Sequence, residues 1–142
     1  MSYNPFTLKN KKILITGASS GIGRSIAIEC AKMGAQLIII ARNKERLEET
    51  FSLLEGHGHQ QFLVDLLDIQ QIEKMIGNLP KIDGVVSNAG VSSPLVLQFL
   101  EEEDMMDTFK INTFAPISLL KNLLTNKLLN KEASIVFISS IS

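Results

Sequence analysis

The residues best suited to chemistry open the chain: Thr16-Gly17-Ala18-Ser19-Ser20-Gly21-Ile22-Gly23, three glycines and two adjacent hydroxyls. Glycine lets a backbone turn tightly and approach a ligand closely. Amides left unpaired at a helix start present partial positive charge, so such a turn suits a pyrophosphate. Ser19 and Ser20 add hydroxyl donors. A tight turn without a ligand is the alternative, but three glycines between an apolar run and an amphipathic stretch favour phosphate binding. The spacing TGxxxGxG is neither GxGxxG nor the Walker loop, and no Gly-Lys-Ser/Thr follows, which argues against a nucleotide triphosphatase.

Other reactive side chains read as structural. His57 and His59 lack a third ligand nearby and are expected to be loop residues. Glu101, Glu102, Glu103 and Asp104 suit the first turn of a helix, where the macrodipole favours acids. Cys30 is expected to pack, not to react, and Met75, Met105 and Met106 read as core or interface filler. No metal site is expected.

The elements that must position the glycine turn follow from hydrophobic periodicity. Short apolar runs at 11–16, 36–41, 61–64, 82–87 and 133–139 read as strands of a parallel sheet buried on both faces. Between them lie helical patterns. The first has Ile22, Ile26, Cys30 and Met33 as its expected buried stripe, with Ala27 and Ala31 beside it, and ends at Gly34. The second is capped by Asn43 and carries Leu47, Phe51 and Leu54. The third opens with an Asp68/Gln71 capping box and closes at Gly77 and Pro80. A long helical region over 101–130 is interrupted by Pro116. Strands alternating with amphipathic helices imply a doubly wound α/β fold, in which ligands collect at the carboxyl ends of the strands.

Composition agrees with one folded unit: 142 residues, 45% hydrophobic, 20% charged and a net charge of −1. That charge offers no field to gather nucleic acid or an anionic membrane, so neither is expected as a partner. No apolar run reaches signal-peptide or membrane-span length, and the single cysteine forms no internal disulfide; a cytoplasmic setting is expected.

Five features in order then resemble one family. The turn TGASSGIG, Asp65 after the third predicted strand, Asn88-Ala89-Gly90 after the fourth, Asn112 in the long helix and Ser139-Ser140 after the fifth are similar to the signatures of the short-chain dehydrogenase/reductase family. The resemblance covers nearly the whole chain. It implies a Rossmann-type sheet, truncated here after the fifth strand, with a nicotinamide cofactor lying across the strand ends. In that frame Gly17, Ser19, Ser20, Gly21, Ile22 and Gly23 face the pyrophosphate, Asp65 accepts from the adenine amino group and Leu66 offers backbone beside the ring. Asn88, Ala89 and Gly90 resemble the NNAG motif, with Ser87 in place of its first Asn; Asn88 can also tie neighbouring strands together. The second strand ends Ala41-Arg42-Asn43, without the acidic residue that would bind ribose hydroxyls and repel a 2′-phosphate. A guanidinium there favours NADP over NAD, the alternative being a solvated residue at a helix start.

For catalysis the resemblance implies that Asn112 holds a water through local backbone distortion and that Ser140, or its neighbour Ser139, bonds the substrate carbonyl or hydroxyl. The family's Tyr-x-x-x-Lys acid/base pair has no counterpart: the sole tyrosine is Tyr3, and Thr7 stands four residues on. The chain therefore reads as the amino-terminal portion, 1–142, of a nucleotide-binding domain. The full-length protein is expected to be an NADP-dependent oxidoreductase of small carbonyl/alcohol substrates, a homodimer or homotetramer, with the 142-residue piece inactive. A non-catalytic nucleotide- or partner-binding module is the alternative. An extended-type epimerase is disfavoured by the glycine spacing. The fifth strand is expected to leave an apolar open edge prone to aggregation.

Overall fold

The computed structural model describes residues 4–92 and 96–140; Tyr3 lies outside them. The elements alternate: β1 (Lys12–Thr16), α1 (Gly21–Lys32), β2 (Gln36–Ala41), α2 (Lys44–Ser52), β3 (Gln60–Leu63), α3 (Ile69–Ile76) and β4 (Ile82–Ser87). A 3-10 turn (Leu97–Phe99), α4 (Glu102–Phe109), a π-helical turn (Lys110–Phe114), α5 (Ala115–Thr125) and β5 (Leu129–Phe137) follow. The strands form one sheet in the order β3-β2-β1-β4-β5, every neighbouring pair parallel. This is the doubly wound architecture expected from the sequence.

Register decides where the site lies. Thr16 is level with Ile40, and Ile15 with Val86, so the residues leaving β1, β2 and β4 emerge side by side. The chain steps from β1 to β2 on one side and returns through α3 to β4 on the other, which makes the β1/β4 boundary the topological switch point.

Alternation along the strands splits the core in two. Leu14, Ile38, Ile40 and Val85 pack with Ile72, Met75 and Leu119 on one face, and Ile13, Ile15, Leu37 and Ile39 pack with Ala27, Ala31 and Leu47 on the other. The stripe expected on α1 is rotated from the one observed. Gly23, Ala27 and Ala31 are the buried residues, whereas Ile22 is 61% exposed and Met33 is also exposed. Small side chains let α1 lie close against the sheet, and the larger ones spread around its flanks.

The expected caps form. Asn43 Oδ1 accepts from the Arg46 amide at 2.9 Å, and Asp68 Oδ1 accepts from the Gln70 and Gln71 amides. The Asp68/Gln71 box is not reciprocal, because Gln71 Oε1 accepts from the Asp65 amide instead of that of Asp68. His59 is not an idle loop residue. Its Nδ1 accepts from the Leu37 amide at 3.1 Å and its Nε2 donates to the Glu55 carbonyl at 2.9 Å, tying the loop before β3 to the start of β2.

Two boundaries differ from expectation. The long helical region ends at Thr125, and β5 begins at Leu129, four residues before the apolar run. The reason is a register irregularity: Ile82 pairs with Leu129 but Gly84 pairs with Ser134, so the polar stretch between them bulges. β5 forms one edge of the sheet, and Ile135, Val136, Phe137 and Ile138 are 40–53% exposed there. Among the described residues no helix is long and apolar enough to cross a membrane.

Candidate cofactor cleft

The turn between β1 and α1 is shaped by its glycines. Gly17 adopts φ +65°, and a Cβ on it would stand 2.8 Å from the Ala89 Cα. A Cβ on Gly23 would overlap the Gly17 carbonyl oxygen. The turn therefore folds back against the segment leaving β4, and only hydrogens fit at both contacts. Gly23 itself is buried beneath the turn. Above the turn the situation reverses: a Cβ on Gly21 would meet nothing within 4 Å. Ser20 precedes α1 without a side-chain capping bond, so the first amides of that helix face this open space.

One buried hydroxyl joins the two sides of the switch point. Thr16, fully buried at the end of β1, accepts through Oγ1 from the Asn88 and Ala89 amides, both at 3.0 Å. Asn88 Nδ2 donates to the Gly17 carbonyl at 3.2 Å, so it does tie the two strand ends. Thr16 was missed in the sequence. It closes an apolar run, and its partners lie more than 70 residues away.

A cleft of about 480 Å³ opens over these strand ends. It gathers Gly17, Ser19, Ser20, Gly21 and Ile22 from the turn, Arg42 after β2, Asp65 and Leu66 after β3, and Asn88, Ala89 and Gly90 after β4. Every residue proposed from the sequence to contact cofactor lines it except Gly23. Asp65 Oδ1 accepts from the Leu67 amide at 3.0 Å, and its second carboxylate oxygen has no partner among the described residues. Arg46, Ile111 and Ala115 also line the cleft and were not anticipated.

The lining of the cleft suits a dinucleotide in its chemistry. It offers amides at a helix start, open space over Gly21, an acceptor at Asp65 and a guanidinium at Arg42. Among the described residues Arg42 has no ion pair or hydrogen bond on its side chain.

Asn112 and Ser140 do not line this cleft. Asn112 sits in the π-helical turn. Its Oδ1 accepts from the Val91 amide at 2.8 Å and its Nδ2 donates to the Val91 carbonyl at 2.7 Å, which pins the segment after β4. The Ala115 amide bonds the Lys110 carbonyl, five residues back, and Pro116 has no N–H to give the Asn112 carbonyl four residues back. The irregularity thus precedes Pro116 instead of falling at it. Ser140 lies exposed just beyond β5, whose exit is held by the Ile138 amide bonding the Ser87 carbonyl at 2.9 Å.

Cys30 is half-buried, and burial chiefly, with Glu29 beside it, pushes its thiol above the ordinary range, the opposite of an activated nucleophile. No group of three or more metal-ligating side chains occurs among the described residues.

Comparison with known proteins agrees with this geometry. The family model for short chain dehydrogenases matches residues 11–142. The chain is 36% identical to a fatty acyl-CoA reductase of Acinetobacter baylyi, across 94% of this chain and 48% of that protein. It is 32% identical to a 3-oxoacyl-[acyl-carrier-protein] reductase of Rickettsia felis, across 94% and 55%. Among solved structures, a short chain dehydrogenase of Shigella flexneri superposes with TM-score 0.81 at 34% identity, covering 93% of this chain and 56% of that one. A protein of Escherichia coli CFT073 described as a short chain dehydrogenase and complexed with NADPH gives TM-score 0.81 at 33% identity, across 93% and 59%. The chain spans about half the length of the curated relatives it matches. Motif order, sheet order and family match converge: this chain belongs to the short-chain dehydrogenase/reductase family.

Proposed function

We propose that the chain is the cofactor-holding part of an NADP-dependent oxidoreductase that moves hydride between NADP(H) and a small carbonyl/alcohol substrate. The observation that carries this reading is that one cleft joins the glycine turn, Arg42, whose side chain has no ion pair or hydrogen bond among the described residues, and Asp65 at adjacent strand ends. When bound, the nicotinamide supplies or accepts the hydride. The chain's own residues hold and orient. Amides at the start of α1, with Ser19 and Ser20, face the pyrophosphate, and Arg42 meets a 2′-phosphate as a charge-assisted donor. Asp65 accepts from the adenine amino group through its unused oxygen, and Leu66 lies beside the ring. Asn88, Ala89 and Gly90 form the opposite wall, fixed by Thr16.

Toward the reacting end, the π-helical turn leaves the Asn112 carbonyl able to orient a water, and Ser140 is the substrate-bonding hydroxyl. Proton transfer needs a positioned acid whose pKa is matched to its task. In the proposed scheme that is a tyrosine four residues before a lysine, a spacing the 142 residues do not contain. The chain alone is expected to bind cofactor without turning over substrate. The second reading is a non-catalytic nucleotide-binding module; a Tyr-x-x-x-Lys encoded directly downstream of codon 142 separates enzyme from module.

Fluorescence titration with NADPH and NADH tests the cofactor reading. NADPH is expected to bind about tenfold tighter or more, since charge-assisted bonds to the phosphate act on it alone. Equal affinity, or binding of neither, would overturn it. Carbonyl reduction by the 142-residue chain at ordinary enzymatic rates would overturn the assignment of the proton donor.

A further inference from the structure

We infer that Arg46, on the first turn of α2, is a second specificity-determining cation that meets the ribose phosphate together with Arg42. The inference rests on the NADP reading above and extends it to a residue that motif matching does not select.

Arg42 and Arg46 line this end of the cleft and Arg24 is bonded to its neighbours Ser19 and Arg46, but the three are not equivalent. Arg24 is spent on the protein. Its Nε donates to Thr50 Oγ1 at 3.0 Å, and its Nη2 donates to the Ser19 carbonyl at 2.7 Å, the Arg46 carbonyl at 3.3 Å and Glu49 Oε2 at 2.9 Å. With its side chain only 23% exposed, it is a tie between the glycine turn and α2, not a ligand donor. Arg42 and Arg46 both line the cleft, and among the described residues neither guanidinium has an ion pair or hydrogen bond.

The freedom of Arg46 needs explaining, because α2 is rich in acids. Glu49, three residues on, is the helical neighbour best placed to neutralise it, and Arg24 has taken Glu49. Glu48 lies 3.8 Å from Lys44, and Glu45, one residue away, is not at the three- or four-residue spacing that brings helical side chains together. Meanwhile the base of Arg46 is anchored: its amide donates to Asn43 Oδ1 at 2.9 Å, and its carbonyl accepts from Thr50 Oγ1 at 3.0 Å as well as from Arg24. A long cation on a fixed base, without an internal counterion, thus borders a cleft that already holds one guanidinium. A phosphate monoester carries up to two negative charges near neutral pH, so a single arginine neutralises it incompletely. The ligand class is a nucleotide bearing a phosphate monoester on its adenosine ribose.

The test measures binding of NADPH, NADH and 2′,5′-ADP to the full chain and to Arg46→Ala, Arg46→Lys and Arg42→Ala, with the melting temperature of each variant. Arg46→Ala is expected to weaken NADPH and 2′,5′-ADP about tenfold, to leave NADH within about twofold and to flatten the salt dependence of NADPH binding, with Arg46→Lys recovering part of the loss. NADPH affinity unchanged in Arg46→Ala while Arg42→Ala loses it would overturn the Arg46 inference and leave the NADP reading standing. An equal loss for NADH would show Arg46 to be structural and overturn it too. A wild-type chain that binds NADH as tightly as NADPH would remove both.

Discussion

Removing the Thr16 hydroxyl is the sharpest test of how the cleft is built. In Thr16→Val the shape is nearly kept, but the Asn88 and Ala89 amides lose the one acceptor they have among the described residues. A buried donor left unsatisfied costs about 1–3 kcal/mol. Here Thr16 is fully buried while Asn88 and Ala89 are half-buried, so water reaches the amides in part and the lower end applies, about 2 kcal/mol for the pair. For a domain of this size that lowers the melting temperature by roughly 4–8 °C. Thr16→Ser keeps the acceptor and gives up one methyl group, a loss of about 1 kcal/mol. The diagnostic is cofactor affinity. Thr16→Val frees the Asn88-Ala89-Gly90 wall and is expected to weaken NADPH by about tenfold, whereas Thr16→Ser stays within about twofold. Urea unfolding and NADPH titration read the two effects separately. If Thr16→Val matched the wild type in both, or if Thr16→Ser were equally impaired, the hydroxyl would not be the link between the strand ends.

Two further outcomes follow from the same geometry. Gly23→Ala forces a methyl into the Gly17 carbonyl oxygen and to 2.5 Å from Asn88 Nδ2, so it is expected to cost about 1–3 kcal/mol and abolish NADPH binding, whereas Gly21→Ala, open above but at φ +54°, costs only about 1 kcal/mol; equal behaviour of the two would contradict this reading in thermal melts. Asp83 is held below its ordinary carboxylate pKa chiefly by the Lys12 amide, and also by Asn130, against an opposing effect of burial. Its contribution to stability is therefore full above the unfolded-state pKa and lost as pH falls through the folded-state value. Urea midpoints from neutral pH to about pH 3 are expected to fall less steeply in Asp83→Asn than in the wild type, and parallel slopes would contradict this.

What could be read from the sequence and what could not divides along the range of the interactions involved. β2 and β4 start and stop where their apolar runs do, because burial on both faces writes strands as continuous runs ended by turn residues. The start of β5 was hidden: Asn130, Lys131 and Glu132 are polar because the ladder bulges there, and nothing local announces a bulge. On α1 the large residues drew attention, but the sheet selects Gly23, Ala27 and Ala31, a choice set by how closely the helix approaches. Pro116 signalled an interruption in the long helix, yet the extra residue is absorbed one turn earlier, where the Asn112 side chain bonds Val91. The glycine turn, Arg42, Asp65 and Asn88 were found because each stands just after a strand. Arg46 was not, because only the direction in which α2 leaves the sheet brings it to the cleft.

The fastening of β1 to β4 has a consequence for motion. Asp83, second residue of β4, accepts from the amide of Lys12, the first residue of β1, at 2.8 Å, while Thr16, the last residue of β1, accepts from the amides just beyond β4. The two strands are thus cross-tied at both ends, and sliding one along the other breaks a side-chain bond whichever way it moves. The crevice between them therefore has a set width before any ligand arrives. Opening it requires breaking the sheet, not shearing it, so the Asn88 and Ala89 amides are expected to exchange as slowly as those of β1 and β4 although they line the cleft.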